Sequence, residues 1–253
     1  MHPSFQSTMI LLLAQEVKRW NETAIKSTRI GRYDQGIQIL THVLSTLSWS
    51  GVCGNLFSFP SFQNGNAVHI AADTSSGVEM HPCSEIFLHP FIFTIIPDSP
   101  PPIQRSFFPL EQRLQQLQES TLTREQCALI VGCCFYNMGL MHHLQWIQTP
   151  SRDSLLITAA SFYQSALEQL CISGTEKKPH DSTLLILMAI CSNLCHAFSE
   201  LGQVDLLFHY NTLLAELLQT QEERRAKLDT KSLVFFSMNT FANRTRRITA
   251  VAA

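Results

Sequence analysis

The chain has 253 residues, of which 45% are hydrophobic and 15% are charged, and its formal net charge is −2. This composition excludes a mainly disordered chain, which would carry fewer apolar and more charged residues. A net charge near zero provides no field that attracts nucleic acid or an acidic membrane surface, so we expect neither as a partner. No apolar run has the length needed to span a membrane, and the short run Met9–Ala14 is interpreted as the start of the first helix.

The eight cysteines indicate a reducing compartment rather than a disulfide scaffold. Their spacing is irregular in a long chain, whereas disulfide frameworks are typical of short secreted ones. Free cysteine behaves as a small hydrophobe in a protein core. We therefore expect a cytoplasmic or nuclear protein in which five cysteines lie inside apolar helices: Cys127, Cys133, Cys134, Cys191 and Cys195.

Residues 1–48 are predicted to form a first pair of helices between Ile10 and Leu47. Apolar and small residues recur at helical spacing in the first half, and Gly31 breaks the pattern. A second apolar stripe, at steps of three and four, begins at Tyr33. Gly36 lies in this stripe although glycine is a poor helix former, so we expect its missing side chain to let the first helix approach closely.

Residues 49–109 break the helical rhythm and are predicted to be an irregular insertion. Within it, Glu85–Ile96 is rich in Phe and Ile, which favours an extended segment. Pro90 cannot donate to a strand ladder, so the segment is either an edge strand or two short extended pieces. Asn66–Ala71 is the candidate partner strand, and the run Pro97–Pro102 is predicted to be an extended linker.

Residues 110–228 are predicted to hold one short and four long helices. Capping residues, glycines and prolines indicate where these helices begin and end. The short amphipathic helix is marked by Leu110, Leu114 and Leu117. The long helices are predicted to run from the cap residue Thr123 to about Ile147, from Asp153 to near Ile172, from Asp181 to Leu201, and from Val204 to Lys227.

Residues 229–253 are predicted to form a final helix and a tail. The helix is expected over Asp229–Phe241, where it would cover the last exposed face of the helical array. A tail with three arginines would follow it. The predicted apolar face of this helix consists of Val234, Phe235, Met238 and Phe241.

The helix pairs resemble tetratricopeptide-type repeats (TPR). Phe135, Met138 and Gly139 carry the first-helix pattern of a large apolar residue followed by a Leu-Gly-type pair. Departures include Thr23, where a leucine is usual, and irregular spacing of the units. The resemblance implies an all-α fold: an α-solenoid of about three antiparallel helix pairs plus a C-terminal capping helix, with the long insertion after the first pair. The residues expected to pack at the helix crossings are Trp20, Ala24, Gly36, Gly139, Ala159, Tyr163, Ala166, Leu194, Cys195 and Phe198.

The same resemblance implies a concave groove that binds a peptide. Asn137 and Asn193 occupy matching places in two units, and an amide suits a peptide backbone because it both donates and accepts. The alternative is that each amide bonds a local carbonyl or solvent. The neighbouring groove candidates are Tyr136, Leu140, His143, Ser192, His196 and Glu200.

The favoured function is a non-enzymatic scaffold that binds an unidentified protein or peptide in this groove. In a second hypothesis, Glu85–Ile96 is itself the binding element or already fills the groove as an internal ligand. The alternative class is a helical Cys/His hydrolase or metal-binding protein. We expect no cofactor and no metal, because Cys195 and Cys191 are explained by packing and the chain has no Cys-x-x-Cys pair, nucleophile elbow or phosphate loop.

Overall fold

A computed structural model describes residues 3–49, 67–72, 87, 89–96, 124–172, 181–224 and 230–251. These residues form seven helices and two strands: α1 (Pro3–Arg29), α2 (Tyr33–Trp49), β1 (Ala67–Ala72), β2 (Phe91–Ile96), α3 (Arg124–Gln148), α4 (Asp153–Ile172), α5 (Asp181–Glu200), α6 (Val204–Arg224) and α7 (Thr230–Val251). The prediction of a helical protein is confirmed. The helix predicted at Leu110, Leu114 and Leu117 and the linker Pro97–Pro102 lie outside the described residues.

The observed helix limits agree closely with the predicted ones except at the two ends of the chain. The first helix begins at Pro3, seven residues before the predicted start at Ile10. Proline is well tolerated there, since the first-turn N–H groups have no partner within a helix. The last helix continues to Val251, so residues 242–251 of the predicted tail are helical instead.

Two helices end in the same glycine-terminated turn. Gly31 and Gly202 both have positive φ angles, 74° and 69°. After α1, the N–H of Arg32 donates to the Ser27 carbonyl at 2.9 Å and that of Gly31 to Thr28 at 3.0 Å. The equivalent pair of bonds follows α5. This is the Schellman arrangement, which satisfies the last carbonyls of a helix and requires a left-handed residue that glycine supplies without strain.

Helices that follow one another along the chain contact each other, and glycines allow two of the close crossings. A Cβ atom added at Gly36 would lie 3.1 Å from the Ala24 carbonyl oxygen of α1 and 2.7 Å from Met141 Sδ of α3. One added at Gly139 would lie 2.8 Å from the Tyr163 ring. The close approach of α1 expected at Gly36 is therefore present.

The residues predicted to pack at the helix crossings lie in one core. Trp20 is partly buried, and its ring lies edge-on to His42 with the ring centroids 5.1 Å apart. The remainder are buried: Ala24, Gly36, Gly139, Ala159, Tyr163, Ala166, Leu194, Cys195 and Phe198.

The two strands form an antiparallel pair in which Ala72 faces Phe91 and Ala67 faces Ile96. β2 lies against α1 and α3, and β1 lies against α3 and α5. Pro90 immediately precedes β2, so its missing N–H removes no bond from the strand ladder. The strand pair thus lies against α1, α3 and α5.

Two of the described helices are long and apolar enough to cross a membrane by length and composition alone. They lie at Cys127–Gln148 in α3 and Thr183–Glu200 in α5, and 78% of each apolar window is buried within the structure. Each helix is apolar on average but contains polar residues, so neither forms an unbroken apolar run in the sequence. Such burial is typical of core helices.

The predicted apolar face of α7 is wrong at three of its four positions. Val234, Met238 and Phe241 are 52%, 55% and 73% exposed, whereas Phe235 is partly buried and packs against the core. The helix is instead rotated so that Phe236, fully buried, faces the core. Polar residues accompany it on the inner side: Ser232, Asn239, Thr240 and Asn243. Contacts between α7 and other parts of the chain fix this orientation, and they outweigh the apolar periodicity of the helix itself.

Candidate functional site

A short extended piece of the chain lies buried among α1, α3 and α5. We call it the inserted segment; it consists of Phe87, His89, Pro90 and Phe91, the last of which begins β2. Phe87 and Phe91 are 0% exposed and His89 is 6% exposed. An extended piece of this kind cannot satisfy its own N–H and C=O groups, so the surrounding helices must supply partners.

Asn137 of α3 bonds both backbone groups of Phe91. Its Oδ1 accepts the Phe91 N–H at 2.8 Å, and its Nδ2 donates to the Phe91 carbonyl at 2.8 Å. Asn21 of α1 donates to the same carbonyl at 3.0 Å, and its own Oδ1 accepts from Asn137 Nδ2 at 2.9 Å. The two amides therefore form one hydrogen-bonded unit around a single residue of the inserted segment.

Asn193 of α5 repeats this arrangement at Phe87. Its Oδ1 accepts the Phe87 N–H at 2.7 Å, and its Nδ2 donates to the Phe87 carbonyl at 3.2 Å. The paired contacts, one donor and one acceptor on the same residue, are those a neighbouring strand would make. Asn137 and Asn193 thus hold two residues, four positions apart, by their backbone alone.

Two further side chains of α3 complete the polar lining. Tyr136 Oη lies 2.9 Å from the Phe87 carbonyl, to which it donates, and 3.4 Å from the His89 carbonyl. Cys133 Sγ donates to the Phe91 carbonyl at 3.2 Å. Burial raises the pKa of both groups well above its ordinary value, with the neighbouring Tyr163 and Cys134 adding to the effect. Both therefore stay protonated and act as donors.

Aromatic contacts hold the two phenylalanine side chains. The Phe87 ring stacks on Phe236 of α7 with centroids 5.2 Å apart and planes at 25°, and Phe235 meets it edge-on at 5.7 Å. The Phe91 ring meets Tyr136 edge-on at 4.9 Å. Offset-stacked and edge-to-face geometries are the favourable ones for aromatic pairs. Burial of Phe236 against the inserted segment accounts for the rotation of α7.

A row of hydrogen bonds extends from Asn193 away from the inserted segment. Asn193 Nδ2 donates to Tyr163 Oη at 3.2 Å, Tyr163 Oη lies 3.4 Å from His143 Nδ1, and His143 Nε2 lies 3.0 Å from His196 Nδ1. Burial, and secondarily His196, lowers the pKa of His143 well below its ordinary value. A neutral His143 can accept from Tyr163 at Nδ1 and donate to His196 at Nε2.

The structure places only some of the predicted groove residues in contact with the inserted segment. Asn137, Asn193 and Tyr136 contact the inserted segment directly. Leu140 is buried next to them on α3, and Ser192 accepts from Asn239 of α7 at 2.8 Å. His143 and His196 belong to the row behind Asn193, and Glu200 is exposed at the end of α5.

Three contact residues were missed by the sequence analysis. Asn21 directly follows the large apolar residue of its unit, Trp20, whereas Asn137 stands two places after Phe135. Because of this offset, Asn21 does not stand at the place that Asn137 and Asn193 share in their units. The apolar surroundings of Cys133 predict only a small buried hydrophobe. Phe236 lies one residue away from the predicted apolar face of α7, and the apolar periodicity of the helix does not predict that it is buried.

The described cysteines and histidines do not form a reactive or metal-binding group. All six described cysteines are free thiols. Burial raises the pKa of Cys191 to about 12, with Cys171 adding to it, and raises that of Cys195 further. A nucleophilic cysteine needs the opposite shift. Within the described ranges, no three His, Cys, Asp or Glu side chains lie close enough together to hold a metal ion.

Fold and site together define a helical protein in which α1, α3 and α5 hold an extended segment through side-chain amides. No protein-family model, curated protein or solved structure matches the chain.

Proposed function

We propose that this chain is a non-enzymatic interaction scaffold of tetratricopeptide-like helix pairs, stacked as a short α-solenoid. Its groove, lined by α1, α3 and α5, binds an extended protein segment. The observation that carries the proposal is the pair of two-point contacts made by Asn137 and Asn193 to backbone N–H and C=O groups. Contacts of this kind recognise an extended chain irrespective of its side chains, as in strand-addition binding.

The chemistry of the groove supports binding rather than catalysis. Two side-chain amides accept from the backbone N–H groups of the inserted segment. Its backbone carbonyls accept from amides, a phenol and a thiol. Burial keeps the phenol and the thiol protonated, so neither supplies a base or a nucleophile. The hydrolase alternative therefore has no support from this site. In this chain the groove is occupied by the inserted segment itself.

Panning of a displayed library of twelve-residue random peptides on the immobilised chain carrying Phe91→Leu, which weakens the segment that occupies the groove, tests the proposal. Peptides that enter the groove should bind this chain and lose at least about tenfold in affinity when Asn193→Ala is added. Adding Thr212→Ala instead, at an exposed site on α6, is the matched control and should leave the affinity unchanged. Circular dichroism verifies that all variants are folded. The proposal fails if no peptide is enriched, or if every enriched peptide binds the chain with Asn193→Ala as well as the chain without it.

A further inference from the structure

The inserted segment identifies the kind of sequence that the groove accepts. Its two gripped residues, Phe87 and Phe91, are four positions apart, and both rings are fully enclosed. Each ring meets aromatic side chains in favourable geometry, Phe87 against Phe236 and Phe91 against Tyr136. An aliphatic or polar side chain at either place would leave these rings without a partner of matching shape. The groove therefore has two aromatic positions.

The position before the second aromatic residue favours proline. Pro90 is buried, and its nitrogen carries no hydrogen that would need a partner. Other residues would bring an N–H into this buried place, where an unpaired donor is costly. Proline also restrains the chain before it to an extended form, which is the form the two amides hold.

Charged residues are disfavoured at the two gripped positions. The side chains that bond Phe87 and Phe91 are the neutral groups of Asn21, Cys133, Tyr136, Asn137 and Asn193. A buried charge without an opposite partner is strongly destabilising. After the second aromatic residue the chain continues as β2, which pairs with β1 over Ala72 to Ala67. A ligand of the same kind would therefore need a strand after its second aromatic residue.

From this geometry, and resting on the proposed function, we infer that the partner is an extended protein segment of the pattern aromatic–x–x–Pro–aromatic followed by a strand. It takes the place of residues 87–96, with its aromatic residues in the two enclosed positions and its strand paired to β1. The inserted segment is then a resident copy of the ligand. It is tethered in the same chain at an effective concentration of about millimolar, so a partner binds when the resident copy is weakened or outnumbered.

The test uses the full chain with its resident copy weakened by Phe91→Leu, which keeps an apolar side chain and the backbone contacts. The probe is a synthetic peptide of residues 85–96, EIFLHPFIFTII, with two added N-terminal lysines for solubility. The peptide should raise the melting temperature of the variant in a concentration-dependent way, because it binds the folded state. The native chain, whose resident copy is intact, should bind it at least about tenfold more weakly. Phe87→Leu is the second weakened chain, and it is used if the first does not fold.

Variants of the peptide test the inferred sequence pattern. Replacing either gripped phenylalanine of the peptide by alanine should reduce affinity about 100-fold. A scrambled peptide should not bind. If library peptides bind through Asn193 while the resident-type peptide does not, the inferred pattern is wrong and the proposed function stands. If neither kind binds, both are wrong. If the weakened chain dimerises without peptide, the occupant is a second copy of this chain and the inference is overturned.

Discussion

Replacing Asn137 by alanine tests whether the amide contacts hold the inserted segment in place. The substitution removes the acceptor of the Phe91 N–H, at 2.8 Å, and the donor to Asn21 Oδ1, at 2.9 Å. The Phe91 carbonyl keeps Asn21 Nδ2 and Cys133 Sγ as donors. A buried polar group that loses its partner costs about 1–3 kcal/mol, so two of them lower the free energy of unfolding by about 2–6 kcal/mol.

Urea denaturation followed by circular dichroism measures this loss. Gln38→Ala, at an exposed amide on α2, is the matched control and should change the free energy of unfolding by less than about 0.5 kcal/mol. Hydrogen exchange adds a local measurement, because the amide of Phe91 should exchange slowly in the native chain and faster in Asn137→Ala. A loss equal to that of Gln38→Ala, with unchanged exchange at Phe91, would refute the reasoning.

Three further outcomes are expected. Phe236→Ala should cost about 3–5 kcal/mol of unfolding free energy by urea denaturation, while Met238→Ala, 55% exposed on the same helix, should cost less than about 0.5 kcal/mol; similar losses would contradict the assigned face of α7. Gly139→Ala should cost about 1–3 kcal/mol, seen as a lower melting temperature, because the added Cβ would lie 2.8 Å from a tyrosine ring. The pKa of His143 is lowered in the folded state, so the unfolded state takes up its proton first as pH falls. The free energy of unfolding should therefore decline as the pH falls below about 6.5, by up to about 1.4 kcal/mol per pH unit from this group. His143→Gln should reduce this pH dependence in thermal melts recorded across about pH 5–8.

The helices were predictable because their signals are local. The helices α1 and α5 are terminated by Gly31 and Gly202, as predicted, because each helix terminus requires a residue in the left-handed conformation. The recurrence of Asn137 and Asn193 at matching places also pointed to two side chains with one task, and both contact the same inserted segment. Periodicity finds features that repeat within one helix or between similar helices.

The rest depended on contacts between distant parts of the chain. The face of α7 is set by Phe236 stacking on Phe87 and by Asn239 donating to Ser192, neither of which leaves a periodic signal. Asn21 joins the site only because β2 crosses α1 at that point. Tertiary contacts of this kind override a helix's own pattern when they satisfy buried polar groups that would otherwise be unpaired.

Under the proposed function, backbone contacts and side-chain contacts would contribute differently to the selectivity of the groove. Asn137 and Asn193 bond N–H and C=O groups that nearly every residue has, and each bond contributes about 0.5–1.5 kcal/mol irrespective of sequence. Phe87 and Phe91 each bury a whole ring, which contributes roughly 1.5–3 kcal/mol. A segment that lacks both rings therefore loses about 3–6 kcal/mol, a factor of roughly 10² to 10⁴ in affinity. Because the amides cannot distinguish one extended chain from another, the proposed selectivity would reside in the two aromatic positions, and the amides would fix the spacing between them.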